Sequence, residues 1–367
     1  MDICSLTPSL PSKSNKKVKM VLTRECVIQT PEYVPGEQPQ TNNFIKLNTN
    51  ENPYAPPFEL LDVIQNELAK VNLYPDPVCT KLRETAAQVF GVSSEQIIVG
   101  NGSDDILNIA IRTFVEPVEK IAFLDVTYSL YETLALVHGS SIIRIPTNAK
   151  FELEESIVCP EAKLIFFASP NPPVGQHINS QYLEETCAKA TGVVVIDEAY
   201  VNFSDCDRLH LLKKYDNVII VRTMSKAYSL AGARVGFGIA SKSLIQQMNK
   251  VRDSYNVDRL AQALATAAFQ SQDKFQEIWA KIRQTRKRLI TSLRELDCFV
   301  FDSEGNFVLA SPQWMPASEL YAQLKDKGVL VRYFNKTRIT NYVRITVGTD
   351  SEIDRLLATI KDIKVKQ

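Results

Sequence analysis

The stretch NVIIVRTMSKAYSLAGARVGFGIAS, residues 217–241, joins two apolar runs through a single lysine. The runs "NVIIVRTM" and "RVGFGIAS" are short and rich in Val and Ile, as buried strands are. Between them Lys226 follows two hydroxyls, Thr223 and Ser225, and Arg234 comes after a run of Ala, Gly and Ser. A lone lysine after a strand is commonly just a solvated charge. Its meaning here depends on what the rest of the chain supplies.

Outward from this stretch the same texture repeats. "KIAFLDV" (120–126), "SIIRIP" (141–146), "KLIFFASP" (163–170) and "GVVVIDEAY" (192–200) read as further buried strands. Helical patterns alternate with them, among them "SDDILNIAIRTF" and "SQYLEETCAKAT". That alternation predicts an α/β fold with a mostly parallel central sheet covered on both faces. After about residue 257 the texture changes. A long helical stretch carries Phe275, Ile278, Ile282, Leu289, Leu293 and Leu296 on one face. "FVFDSEGNFVLASP", the helix "PASELYAQLKDKG", the strands "GVLVRYF" and "YVRITVG", and a last helix "SEIDRLLATIK" then predict a smaller α+β domain. The expected division is a tail at 1–23, an arm and part of the small domain at 24–71, the large domain at 72–265 and the rest of the small domain at 266–367.

Composition narrows the function classes. The chain has 367 residues, 45% hydrophobic and 23% charged, which is ordinary for a soluble enzyme. Lys plus Arg and Asp plus Glu both number 42, so charge points to neither nucleic acid nor a membrane surface as a partner. No apolar run approaches the roughly 18 residues of a membrane span. The seven cysteines are scattered without a C-x-x-C pair, which fits reduced thiols in the cytoplasm. His138, His177 and His210 lie far apart, so no histidine metal site is expected. "SLTPSLPSKSNKKVK" (5–19) reads as a disordered tail, with a targeting peptide or an upstream start ahead of Met20 as alternatives.

In open α/β sheets ligands sit at the carboxyl ends of strands. Here those ends carry Asp197, Glu198 and Tyr200, then Asn171, then Thr223, Ser225 and Lys226. "VGNGSDDIL" (99–107) turns from a short strand into a helix whose first N–H groups form an anion cradle. No glycine is followed by lysine, which removes the P-loop reading that "VVVIDEA" invites. "GNGSDD" breaks the dinucleotide pattern at its last glycine. Pyridoxal phosphate needs what is present: a lysine to bond it, a carboxylate to keep its ring nitrogen protonated, a phenol, and hydroxyls, an arginine and a helix N-terminus for its phosphate.

The chain resembles the fold-type I pyridoxal-phosphate-dependent aminotransferases from about Leu47 to its C-terminus. "LNTNENPY", "YPDP", "GNGSDD", "TYSLY", "SPNPPVG", "IDEAY", "TMSKAYSLAGARVGF", "YNVDRLAQ", "NFVL" and "VRITVGT" follow in that family's order. "NENPY", "YPDP", "LVR" and "VRITVGT" together resemble its histidinol-phosphate branch. The resemblance implies catalytic roles for Lys226, the covalent anchor, Asp197, the ring-nitrogen partner, and Tyr200, at the 3-oxygen. Tyr128 would stack on the ring. Ser103, Asp104, Thr223, Ser225 and Arg234 would hold the phosphate. Tyr74 would reach a neighbouring subunit's cofactor, so a homodimer with shared active sites is implied. Arg332 and Arg344, with Asn52 and Tyr54, would bind the small-molecule substrates.

There are two departures. The family's S-P-N-N-P-T-G has Pro172 in place of its second asparagine, so Asn171 either reaches the 3-oxygen or only shapes the turn, and a cis bond fits this double-proline loop. Ser254 replaces a usual proline in "DSYNV". The implied reaction is amino transfer between histidinol phosphate and 2-oxoglutarate, in histidine biosynthesis. Its rivals are aromatic-amino-acid transamination, phosphothreonine decarboxylation and a non-catalytic regulator that binds the same cofactor.

Overall fold

The computed structural model describes residues 22–39 and 44–366, so the tail expected at 5–19 lies outside the described residues. Seven strands form the central sheet: β1 (Ile97–Asn101), β2 (Lys120–Leu124), β3 (Ser141–Ile145), β4 (Ala162–Ala168), β5 (Val193–Asp197), β6 (Val218–Thr223) and β7 (Val235–Ala240). Their order is β1-β7-β6-β5-β4-β2-β3. Strands β3, β2, β4, β5 and β6 pair in parallel, and β7 runs antiparallel to both β1 and β6. The runs rich in Val and Ile are explained by burial on both faces: every residue of β5 and β7 is buried.

Alternation divides β5 between two cores. Val194 and Ile196 enter one, and Val193 and Val195 enter the other. The second core is closed by the helix α1 (Ser103–Phe114), whose Ile106, Leu107, Ile109, Ala110 and Ile111 are fully buried. Helix α2 (Leu130–His138) closes it further through Tyr131 and Ala135.

A second, antiparallel sheet has the order β10-β11-β9-β8, built from β8 (Cys298–Val300), β9 (Phe307–Pro312), β10 (Arg332–Tyr333) and β11 (Val343–Thr346). The segment expected as one strand, "GVLVRYF", serves two sheets. Val329–Leu330 pairs in parallel with Ile45–Lys46, while Arg332–Tyr333 pairs with β11. The long helical stretch is two helices, Arg259–Gln270 and Gln272–Glu295, parted at Ser271. The domain boundary expected at 265/266 thus falls inside a helix, and we propose Ser271 as the better division. Phe275, Ile282, Leu289 and Leu293 are buried along the second helix, and Leu296 lies just past its end. Among the described residues no helix is long and apolar enough to cross a membrane.

Candidate active site

A cavity of about 350 Å3 opens where the carboxyl ends of β5 and β6 face the second sheet. One end of it is built for an anion. Gly102, at φ +81°, turns β1 into α1, whose first-turn N–H groups have no partner within the helix. A Cβ at Gly102 would lie 2.5 Å from Arg234 Nη2, and one at Gly236 would lie 2.3 Å from Ser103 N. Both positions therefore need glycine for the helix end and the guanidinium to meet. Ser225 Oγ accepts from Thr223 Oγ1 at 3.0 Å and from Arg234 Nη1 at 3.3 Å. Asp104 lines the same corner, 3.4 Å from Arg234 Nη2, and accepts from the Tyr128 hydroxyl at 3.3 Å.

Asp197 ends β5 in this cavity and is buried. Its Oδ2 accepts from the Tyr131 hydroxyl at 2.8 Å and its Oδ1 from Ala199 N at 3.1 Å. Burial raises its carboxyl to about 6, against the pull of those two donors. Glu198 is committed elsewhere. Its Oε2 accepts from Arg222 Nε and Nη2 at 3.0 and 2.8 Å, and its Oε1 from Arg208 N at 2.6 Å.

Lys226 follows β6 and donates to Thr49 O at 3.0 Å. Burial, helped by the charge of Arg344, lowers its ammonium to about 8. Tyr200 accepts from Asn50 Nδ2 at 3.0 Å, and burial raises its phenol above the ordinary value.

The far wall carries two guanidinium groups. Arg332 and Arg344 are register partners across β10 and β11. Arg344 donates to Asn48 O at 2.9 Å, lies over the rings of Phe307 and Phe334, and keeps a buried Nε without a partner. Arg332 donates to the carbonyls of Val34 and Pro35, both at 3.0 Å. Among the described residues neither forms a salt bridge. Two adjacent cations with no carboxylate partner leave net positive charge on this wall.

Ser103, Asp104, Tyr128, Asp197, Tyr200, Thr223, Ser225, Lys226, Arg234, Arg332 and Arg344 all line this cavity. Four expected residues do not. Asn171 faces away: its Oδ1 accepts from Thr127 Oγ1 at 2.6 Å and its Nδ2 donates to Val126 O at 2.9 Å. Pro172 and Pro173, joined by a cis bond, take its place at the wall, so the turn-shaping reading of Asn171 is the one this geometry favours. Asn52 donates to Ala227 O at 3.1 Å and accepts from Tyr54 N at 3.1 Å. Lys281 caps the Tyr54 ring at 5.9 Å. Asn52 and Tyr54 thus brace the chain after Lys226 instead of entering the cavity. Tyr74 is 77% exposed and stacks on Tyr255, outside this cavity.

Sequence reasoning missed Tyr131, Asn50, Thr49 and Tyr33, which also shape or line the site. Tyr131 stands in the quoted "TYSLY", three positions from Tyr128, whose carbonyl accepts from Tyr131 N at 3.2 Å in the turn that leads into α2.

A strand-end lysine, a buried carboxylate and a helix N-terminus beside an arginine thus share one cavity of an α/β fold. The chain belongs to the aminotransferase class I and II family, whose model matches residues 42–360. It is 68% identical to a histidinol-phosphate aminotransferase of Crocosphaera subtropica over 94% of this chain and 99% of that protein. It is 61% identical, over the same shares, to a histidinol-phosphate aminotransferase of Synechocystis. Among solved structures it resembles histidinol-phosphate aminotransferase from Sinorhizobium meliloti in complex with pyridoxal-5'-phosphate. The TM-score is 0.80 at 26% identity, covering 87% of this chain and 90% of that one.

Proposed function

We propose that this chain transfers an amino group between histidinol phosphate and 2-oxoglutarate, using pyridoxal phosphate, and works as a homodimer. The observation that carries the reading is the pairing of two ends in one cavity. Lys226, Asp197 and the anion cradle occupy one end; Arg332 and Arg344 occupy the other. The relatives that are 61–68% identical, named for histidinol phosphate, support the substrate.

The residues present fit the cofactor. The α1 N-terminus, Thr223, Ser225 and Arg234 would hold its phosphate, as the glycines at 102 and 236 allow. Tyr128 would lie against its ring, and Tyr200, backed by Asn50, would donate to its 3-oxygen. Once bound, the cofactor supplies an electron sink for the charge left on the substrate's α-carbon. Asp197 holds a proton at the ring nitrogen. Lys226 Nζ, with its affinity for protons lowered, would accept the α-proton as general base and deliver it to the cofactor's carbon, not back to the substrate's α-carbon.

Arg344 and Arg332 bind the substrate's anionic end. A guanidinium fork suits the carboxylate of 2-oxoglutarate and the phosphate of histidinol phosphate alike. Leu68, Val71, Leu73 and Tyr74 form an exposed apolar run, which supports a dimer in which Tyr74 reaches the partner's cofactor. The six described cysteines are all free, which supports the cytoplasm as the compartment.

The test is donor profiling of the purified protein with 2-oxoglutarate as acceptor. Glutamate formed fastest from histidinol phosphate supports the reading. A faster reaction with aromatic amino acids, or carbon dioxide released from phosphothreonine, replaces it with a rival.

A further inference from the structure

Tyr131 is fully buried in the first turn of α2. Its ring stacks on Phe166 of β4, with centroids 4.7 Å apart and planes 9° apart. It also meets the Tyr128 ring edge-on at 5.6 Å. None of this packing requires a hydroxyl, since phenylalanine has the same ring. The hydroxyl nonetheless sits 2.8 Å from Asp197 Oδ2, its one hydrogen-bond partner among the described residues. A buried phenol without a partner would be costly, and so would a buried carboxylate without donors.

The two Asp197 oxygens are thereby held by donors from different directions. Ala199 N, just past the strand, takes Oδ1, and a side chain from a helix takes Oδ2. The carboxylate cannot swing without leaving one donor unpaired. The same tyrosine supports Tyr128, whose hydroxyl is tied to Asp104 beside the anion cradle. One buried residue thus touches both groups that would face the cofactor's ring, the carboxylate at its nitrogen and the aromatic against its face.

We propose that Tyr131 is a positioning residue for the cofactor: its hydroxyl fixes the Asp197 carboxylate in the orientation that holds a proton on the ring nitrogen. This rests on the pyridoxal-phosphate reading above. Burial and the charge of Asp197 push the Tyr131 phenol well above its ordinary value, so it remains a donor throughout the working pH range. The phenol itself stays behind the carboxylate and need not touch the ring.

The role is separable from packing because it acts on one atom of the cofactor. Apoprotein is titrated with pyridoxal phosphate and with the analogue that carries C–H in place of the ring nitrogen. Tyr131→Phe should weaken the first by at least about tenfold, the scale of one hydrogen bond to a charged group. It should leave the second within about threefold. In an Asp197→Asn background the same substitution should lose most of its effect on pyridoxal phosphate, because the pair acts as a unit. Equal weakening of both compounds, no weakening of either, or a full effect that persists in the Asp197→Asn background would each overturn the proposal. Wild-type protein that binds neither compound would overturn the cofactor reading, and the proposal with it. Wild-type binding of both, with no selective loss in Tyr131→Phe, would overturn the positioning role alone.

Discussion

Asp197 and Glu198 are adjacent in sequence, yet their carboxylates serve different partners: Asp197 takes the Tyr131 hydroxyl at 2.8 Å, and Glu198 takes Arg222 Nη2 at 2.8 Å. Successive residues at a strand end point to opposite faces, so one acid enters the cavity and the other pairs beneath the sheet. Their substitutions should therefore fail differently. Asp197→Asn should lower kcat by several orders of magnitude and leave the fold intact. Glu198→Ala leaves the largely buried Arg222 with only its longer 3.4 Å contact to Asp207 and should cost about 3 kcal/mol of stability. Kinetics and denaturant melts of both variants check this. Loss of kcat in a stable Glu198→Ala protein would reverse the assignment.

The pH dependence of apoprotein stability follows from the same burial. The Asp197 carboxyl stands near 6 in the folded protein against an ordinary 3.8. The folded state therefore binds the extra proton between these values. The stability this group contributes is present below the ordinary value and is lost as pH rises through about 6. An Asn at this position has nothing to ionise. Apo Asp197→Asn should gain on wild type between pH 4 and 7, levelling off at about 2–3 kcal/mol. Urea melts across that range test it, and a gap that does not change with pH would contradict it.

Arg344 should decide substrate binding more than cofactor binding. Its Nε is buried without a partner and its neighbour is another cation. Arg344→Ala should cost about 2–5 kcal/mol in kcat/KM for histidinol phosphate and for 2-oxoglutarate. Lys should recover only part, lacking the planar fork. Cofactor absorbance should be unchanged. A sharp fall in Tm with normal kcat/KM would make the residue structural and leave Arg332 as the anion's receptor.

Much of this site is legible in the sequence because its parts are local. Lys226, Asp197 and the Gly102 turn each close a Val- and Ile-rich run, and strand ends are where such sheets bind ligands. What is not legible depends on long-range pairing or on side-chain direction. Tyr131 meets Asp197 across 66 positions and Asn50 meets Tyr200 across 150, with no local pattern to announce either. Asn171, Asn52 and Tyr54 stand in suggestive motifs, but loop hydrogen bonds turn them aside. "GVLVRYF" reads as one strand, since a change of sheet at Val331 leaves no mark in the apolar pattern.

Tyr74, 77% exposed and absent from the lining of its own cavity, should act in trans. Tyr74→Phe should weaken cofactor retention. Mixed with Lys226→Ala subunits, it should recover partial activity through heterodimers that hold one intact site. No recovery under proven subunit exchange would argue against shared sites.

Amino transfer through Lys226 is tested most directly in a single half-reaction. Protein loaded with pyridoxal phosphate is mixed with histidinol phosphate and no acceptor, and the bound cofactor is followed by absorbance. Wild type should convert one equivalent of cofactor to its amine form per site, and 2-oxoglutarate should then restore it with release of glutamate. Lys226→Ala should do neither at a comparable rate. Conversion at near-normal rate without Lys226, or no conversion by wild type, would contradict the assignment.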